Sequence, residues 1–289
     1  MLFSQILTLA FALSVNGAPL EKRDNTCKFP TDQGLISVTS DKSNAGWALS
    51  PDQKCTGGSY CPYACPSGQL MAQWDKSATT YSYPSSQNGG IYCNNDGTIS
   101  KPFGDRDYCV DGAGTLTANN KADKEVAFCQ TVLPGNEAML IPTQVDAGKD
   151  NDLAVPGPDY YAGTAAHYYV NAPGYSTEDA CIWGTKDQAK GNWAPYVAGA
   201  NQDKSGNTYI KIGWNPKYLD DFDGVKPKFG IRITCDDESK CNGLDCEIDP
   251  SKTGYNGING DSQEKSLGAT WCVVTASNNA KAKIEVFDV

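Results

Sequence analysis

Apolar and polar positions alternate in short runs along most of the chain. In Tyr209-Ile210-Lys211-Ile212 and in Ile231-Arg232-Ile233 every second side chain is apolar, the period of a strand with one face on a core. Runs at 34–39, 166–171, 208–214, 229–234 and 270–275 are rich in β-branched and aromatic residues, with turn-forming residues between them. That pattern predicts many short strands. One segment, 123–133, admits a helix, with Val126, Cys129 and Leu133 at helical spacing. It reads equally as a strand, Val126-Ala-Phe128-Cys-Gln-Thr-Val132, and periodicity leaves the two open. The expected fold class is all-β. With 29 glycines, 16 prolines, 15 tyrosines and 6 tryptophans, composition agrees.

The polar, then proline-rich stretch 146–159 is the best linker signal. It predicts a Cys-rich N-terminal β domain over 24–151 and a second β domain over 152–289, packed on each other. Seven cysteines precede the division (Cys27, Cys55, Cys61, Cys65, Cys93, Cys109, Cys129) and five follow it (Cys181, Cys235, Cys241, Cys246, Cys272). Full oxidation would therefore send an odd number of bridges across it, stapling the halves, unless a thiol stays free.

Residues 1–17 form an apolar stretch too short to span a bilayer, closing on small residues, as a secretory signal peptide does. Residues 18–23 end in Lys22-Arg23, a dibasic processing site, so the mature chain is expected to begin at Asp24 and to be secreted. No later segment has the length of a membrane span, and the C-terminus lacks a lipid-anchor signal. All twelve cysteines follow the leader, and in an oxidising compartment the default is six disulfides. Zinc is the rival reading, but with His167 the single histidine, and no paired Cys-x-x-Cys, neither a metal nor a cofactor is expected.

The formal charge is −10. Removing residues 1–23 takes away Glu21 against Lys22 and Arg23, one net positive charge, and leaves −11. Such acidity argues against nucleic acid and anionic membranes and is compatible with a neutral polysaccharide. No phosphate loop, dinucleotide fingerprint or nucleophile elbow is present. His167 therefore reads as a structural strand histidine. Asp105-Arg-Asp107-Tyr-Cys109-Val-Asp111 fails the ligand alternation of a calcium loop. Asp220, Asp221 and Asp223, and Asp236, Asp237 and Glu238, read most simply as solvated loops. There is no Asn-x-Ser/Thr acceptor site.

Cys55-x5-Cys61-x3-Cys65 is followed by Cys93 after 27 residues. This resembles the fungal SUN family pattern Cys-x5-Cys-x3-Cys-x-Cys, in which the last gap is about 24 residues. Cys65-Pro-Ser-Gly-Gln-Leu-Met-Ala-Gln-Trp74, Leu133-Pro-Gly-Asn-Glu137-Ala-Met-Leu-Ile-Pro, Ser176-Thr-Glu-Asp179-Ala-Cys181-Ile-Trp183-Gly and Gly191-Asn-Trp193-Ala-Pro-Tyr-Val are similar to that family too, over roughly residues 35–289. The long low-complexity N-terminal region of several members is absent here. The resemblance implies a β-glucosidase-like glycoside hydrolase acting on wall β-glucan in wall remodelling and septation, a monomer with that polysaccharide as its partner. The second half, with Asp179-Ala-Cys181, Phe229-Gly-Ile-Arg-Ile-Thr-Cys235 and the Cys241–Cys246 loop, is similar to thaumatin-like β-sandwiches, whose acidic cleft binds β-1,3-glucan.

Glycoside hydrolysis needs two carboxyl groups about one linkage, one protonated and one ionised. Glu137 follows the turn Pro134-Gly135-Asn136 and precedes an apolar run, where partial burial would raise its pKa as a general acid requires. The blander role is a carboxylate accepting turn hydrogen bonds. Asp179 is the candidate second carboxylate. Glu178, Trp183 and Trp193 beside it supply acceptors and flat aromatic surface for sugar faces, unless the tryptophans are core. Trp74, with Tyr81 and Tyr83, forms a further aromatic candidate, or the plug of a small disulfide core. The rival from another class is a noncatalytic glucan-binding wall protein; a third is a secreted protease inhibitor or effector, which would not retain glucan.

Overall fold

The computed structural model describes residues 25–78, 88–131, 134–136, 140–260 and 264–289. Glu137, Tyr81, Tyr83 and the expected leader lie outside the described residues. Within them the chain is almost wholly β, with α1 (Thr177–Ala180) and α2 (Pro216–Asp221) as short helices.

In the amino-terminal part the strands are only two or three residues long: β1 (Ser59–Cys61), β2 (Gln69–Met71), β3 (Ile91–Cys93), β4 (Ile99–Ser100) and β5 (Cys109–Asp111). They form a β1-β3-β4 sheet and a β2-β5 pair. Strands this short present little apolar face, so cross-links do much of the holding. Cys27–Cys93, Cys55–Cys61 and Cys65–Cys109 pack round buried Trp47, Tyr63 and Ile91. The Trp47 indole N–H donates to the Cys27 carbonyl at 3.1 Å. The Cys27, Cys55 and Cys93 sulfurs lie within 4.8 Å of one another, but each is in a bridge, and the thiolate a metal would need is gone.

The rest is a sandwich. Its strands are β6 (Leu116–Asn120), β7 (Val126–Thr131), β8 (Leu140–Val145), β9 (Asp150–Asp152), β10 (Ala166–Val170), β11 (Tyr196–Gln202), β12 (Thr208–Trp214), β13 (Phe229–Cys235), β14 (Cys241–Asn242), β15 (Glu247–Ile248), β16 (Glu264–Ser266), β17 (Ala269–Ala276) and β18 (Ala282–Asp288). One sheet runs β14-β17-β12-β11-β10-β7-β8, with β16 on the free edge of β17; the other runs β15-β13-β18-β6-β9. Alternation decides what lies between them. Ile210, Ile212 and Trp214 of β12 meet Ile231 and Ile233 of β13 and Ile284 and Val286 of β18 in one buried cluster. Tyr196 crosses the gap, its hydroxyl donating to the Phe229 carbonyl at 2.8 Å. The polar members of the two alternating runs, Tyr209, Lys211 and Arg232, are the more exposed ones.

The segment that allowed helix or strand is the strand β7. Val126 and Phe128 enter the inter-sheet core, while Ala127 and Cys129 are buried on the opposite face with Leu140, Ala180 and Cys181. Burial on both faces removes the polar alternation that marks a strand.

The expected division near residue 152 does not coincide with sheet membership. β6 to β9 precede it, yet they are built into both large sheets. The apparent linker is polar because it holds the β8–β9 turn and an edge strand with exposed Asp150 and Asp152, and charge on an edge discourages further pairing. Counted from a seam ahead of Leu116, six cysteines lie on each side. A bridge does cross residue 152, as parity required, but Cys129–Cys181 joins two parts of the sandwich, as do Cys235–Cys241 and Cys246–Cys272. No disulfide among the described residues joins the Cys-rich part to the sandwich; Ile141 of β8 packs into its core, and Tyr160 donates to the Met71 carbonyl at 2.9 Å.

Candidate functional site

The outer face of the eight-stranded sheet holds a groove of about 830 Å³. Register builds it in rows across the strands. His167, Gly199, Lys211 and Val273 stand opposite one another on β10, β11, β12 and β17. Two residues along the strands, Asn201 faces Tyr209 on one side of that row; Tyr169 faces Val197 on the other. Gly199 keeps the middle low, since a Cβ there would come within 3.1 Å of the His167 ring.

Each wall is held from behind. The Tyr209 hydroxyl donates to Asp203 Oδ2 at 3.0 Å, and Asp203 is itself fixed in the β11–β12 turn by the N–H groups of Ser205 and Asn207 at 2.8 and 2.9 Å. Those N–H donors, Asn207 foremost, hold the Asp203 carboxyl below its ordinary pKa, and the carboxylate in turn raises the Tyr209 phenol. On the opposite side Trp183 rises from a loop without regular structure. The Cys129–Cys181 bridge pins that loop to the sheet two residues before Trp183. Three buried asparagines then take up backbone groups that would otherwise be unpaired. Asn171 accepts from Gly191 N–H at 2.8 Å, Asn192 accepts from Gly184 N–H at 2.9 Å, and the Asn215 amide donates to the Asn192 and Ala194 carbonyls. Trp183 and Tyr209 remain 42% and 39% exposed, large aromatic faces turned to solvent.

His167 stands at the groove floor, exposed on its outer edge. The surrounding walls desolvate its ring and the Lys211 ammonium repels a second charge, so its pKa lies below the usual value. Lys211 leans away, its Nζ 3.7 Å from the centre of the Trp271 ring. No Asp or Glu is among the described residues that line the groove. The arrangement can stack sugar faces on Trp183, Tyr169 and Tyr209 and meet hydroxyls with Asn201, Thr131 and Thr164.

Of the described residues proposed from the sequence as catalytic or sugar-binding, Trp183 lines this groove, and Trp74, Glu178, Asp179 and Trp193 do not. Trp193 neighbours the Trp183 loop at Gly184, but its indole N–H is committed to Asp221 at 2.7 Å and Lys217 covers its ring. Asp179 is exposed and closes the first turn of α1, its N–H on Ser176 Oγ at 3.2 Å. Glu178 lines a different concavity, of about 320 Å³, with Thr177, Leu140, Pro142 and Asp41. Trp74 is a plug, edge-on to Phe103, Tyr160 and Tyr161 with Arg106 above it. His167, taken from the sequence as structural, is in a strand but faces the groove. Tyr169, Tyr209 and Lys211 were overlooked; the signal was present, because they are the outward set of the same alternation that identified the strands.

Fold and groove define a disulfide-braced all-β protein with an open, aromatic-lined cleft. The sequence model of the family described as beta-glucosidase (SUN family) matches residues 22–274, and the chain belongs to that family. It is 61% identical over 274 residues to an uncharacterized protein of Saccharomyces cerevisiae, covering 93% of this chain and 77% of that one. It is 52% identical over 272 residues to the probable secreted beta-glucosidase adg3 of Schizosaccharomyces pombe, covering 93% of this chain but only 24% of the relative. To the probable secreted beta-glucosidase UTH1 of Saccharomyces cerevisiae it is 34% identical over 278 residues, 92% of this chain and 72% of the relative. No solved structure matches.

Proposed function

We propose that this chain is a secreted cell-wall protein of the β-glucosidase class that holds wall β-glucan along the outer face of its eight-stranded sheet, in wall remodelling and septation. One observation carries the reading: Trp183 and Tyr209 stand exposed at a groove of about 830 Å³. Exposed aromatic rings held by a bridge and by a carboxylate suit the flat C–H faces of pyranose rings. The names of the relatives support secretion and a glucosidase-like role.

Hydrolysis is the second reading, favoured by the family's description, with Glu137 and Asp179 as its proposed acid pair. The groove favours binding, since its described lining carries no carboxylate. The deciding experiment adds the purified mature chain to soluble β-1,3-glucan and measures retention and sugar release together, beside Trp183→Ala, Glu137→Gln and Asp179→Asn. Retention that Trp183→Ala weakens supports the groove. Release that either acid variant abolishes supports the pair. A chain that neither retains nor cuts glucan refutes both.

A further inference from the structure

We infer that the groove accepts an internal stretch of a polysaccharide about four rings long, and does not close round a chain end. This rests on the β-glucan reading above and narrows it. A pocket that recognises a terminal sugar needs a barrier across the path of the chain and acceptors for the hydroxyls that only a terminal ring exposes. Among the described residues that line the groove there is no Asp or Glu to take such hydroxyls in pairs, and the lining is spread over several strands of one sheet. Five neighbouring strands, β7, β10, β11, β12 and β17, each contribute to the lining, through Thr131, His167, Gly199, Lys211 and Val273. Four steps between strands at ~4.8 Å give a path of ~19 Å.

The middle of that path is the lowest part, because Gly199 has no side chain and a Cβ there would press on His167 at 3.1 Å. A chain can therefore lie across the centre and leave at either end. The aromatic surface is distributed in the same way. Tyr209 and Tyr169 lie on opposite sides of the central row, and Trp183 enters from the loop after α1. A single-ring pocket would stack one sugar between facing rings; platforms on separate strands and a loop suit successive sugars. The polar groups are single hydroxyls and amides, Thr131, Thr164 and Asn201, which suit scattered hydroxyls of a neutral chain. A terminal ring is more often fixed by a buried carboxylate accepting two hydroxyls at once.

Calorimetric titration with linear β-1,3-gluco-oligosaccharides of two to seven units tests this, together with a hexasaccharide blocked by a bulky group on its non-reducing ring. The expected result is an affinity that rises with each ring to about four units and then levels. The blocked hexasaccharide should bind within about threefold of the free one. Affinity already at its maximum with two units, or lost on blocking, would overturn the internal-chain inference and leave the β-glucan reading standing. No binding by any oligosaccharide or by the parent glucan would sink that reading, and the inference with it.

Discussion

Removing the Cys129–Cys181 bridge tests the link between cross-linking and the groove. Its two sulfurs join β7 to the segment that carries Trp183, closing a sequence separation of 52 residues, whereas Cys235–Cys241 closes one of only 6. Loop-closure entropy in the unfolded chain scales with the logarithm of that length, giving about 4 kcal/mol for the first bridge and about 2 kcal/mol for the second. For a chain of this size, 4 kcal/mol lowers the unfolding temperature by roughly 8–16 °C. Cys129→Ala/Cys181→Ala should therefore melt well below Cys235→Ala/Cys241→Ala. The functional contrast should be sharper. Losing the first bridge frees the Trp183 loop from the Ala127–Cys129–Ala180 cluster, so binding must reorder it and affinity for soluble β-1,3-glucan falls about tenfold. Losing the second, neither of whose cysteines lines the groove or carries a platform ring, changes affinity less than about twofold. Melting by circular dichroism and binding by calorimetry below both transitions separate the effects. Equal melting losses would refute the loop-length argument. Unchanged glucan affinity in the first variant would refute the role given to the bridge.

Further consequences can be measured directly. Trp183→Ala and Tyr209→Ala should each weaken glucan binding about tenfold with little change in melting temperature, because both rings are exposed; binding within twofold of the parent would remove them as sugar platforms. Asp203→Asn should lower affinity by less than Tyr209→Ala does, by loosening the ring it orients; an effect larger than Tyr209→Ala would mean that Asp203 does something besides hold Tyr209. Asp96, Asp150, Asp203 and Asp237 are held below their ordinary pKa of 3.8, chiefly by Thr98, Asn119, Asn207 and Ser239 respectively. The unfolded chain then takes protons first, so stability is kept above pH 3.8 and lost as pH falls through the depressed values; a melting temperature that rises on acidification from pH 4 to 2 would contradict this. His167, the single histidine, gives one isolated proton NMR titration, expected to have its midpoint below the usual 6.5. Its stabilising effect is present above 6.5 and is lost as pH falls through the lower folded value; a midpoint at or above 6.5 would refute desolvation by the groove.

The strands were legible where one face is dry and the other wet. Tyr209-Ile210-Lys211-Ile212 and Ile231-Arg232-Ile233 became β12 and β13 because alternation maps directly onto a sandwich face. Val126–Thr131 stayed ambiguous because α1 covers its outer face, and a strand dry on both sides loses its period. The stretch near residue 152 reads as a linker for a related reason, since a charged edge strand has the composition of one. Cysteine parity correctly required a bridge across that point. Parity carries no information about which strands share a sheet, and Cys129–Cys181, which joins the two sequence halves, lies within the sandwich. For the candidate site, Trp183 was found by its company, whereas Tyr169, Tyr209 and Lys211 were hidden by their regularity. Which outward residues meet across β10, β11 and β12 depends on long-range register, and no short window of sequence contains it.

The outer faces of the two large sheets show why the groove, and not another surface, carries the functional argument. On the five-stranded sheet Arg232 lies between Glu285 at 3.0 Å and Glu247 at 3.6 Å, its guanidinium over Phe287, and Lys252 joins Glu247 to Asp249. These groups satisfy one another, so a ligand arriving there would have to displace pairs already formed in order to gain its own contacts. On the eight-stranded sheet the groove positions are mostly aromatic, small or singly polar, with Lys211 and His167 flanking Gly199 at their centre and no Asp or Glu among the described lining. Ion pairing covers one face with its own partners, whereas the other face leaves Trp183 and Tyr209 partly exposed at the groove. Large aromatic surface facing water is unfavourable unless a partner covers it. On the proposed reading, Tyr209 and Trp183, held one by a turn carboxylate and the other by a disulfide, serve one ligand jointly. That joint purpose is itself testable, because Trp183→Ala and Tyr209→Ala should combine without a simple sum for a ligand that spans both, and should add independently if each ring serves a separate site.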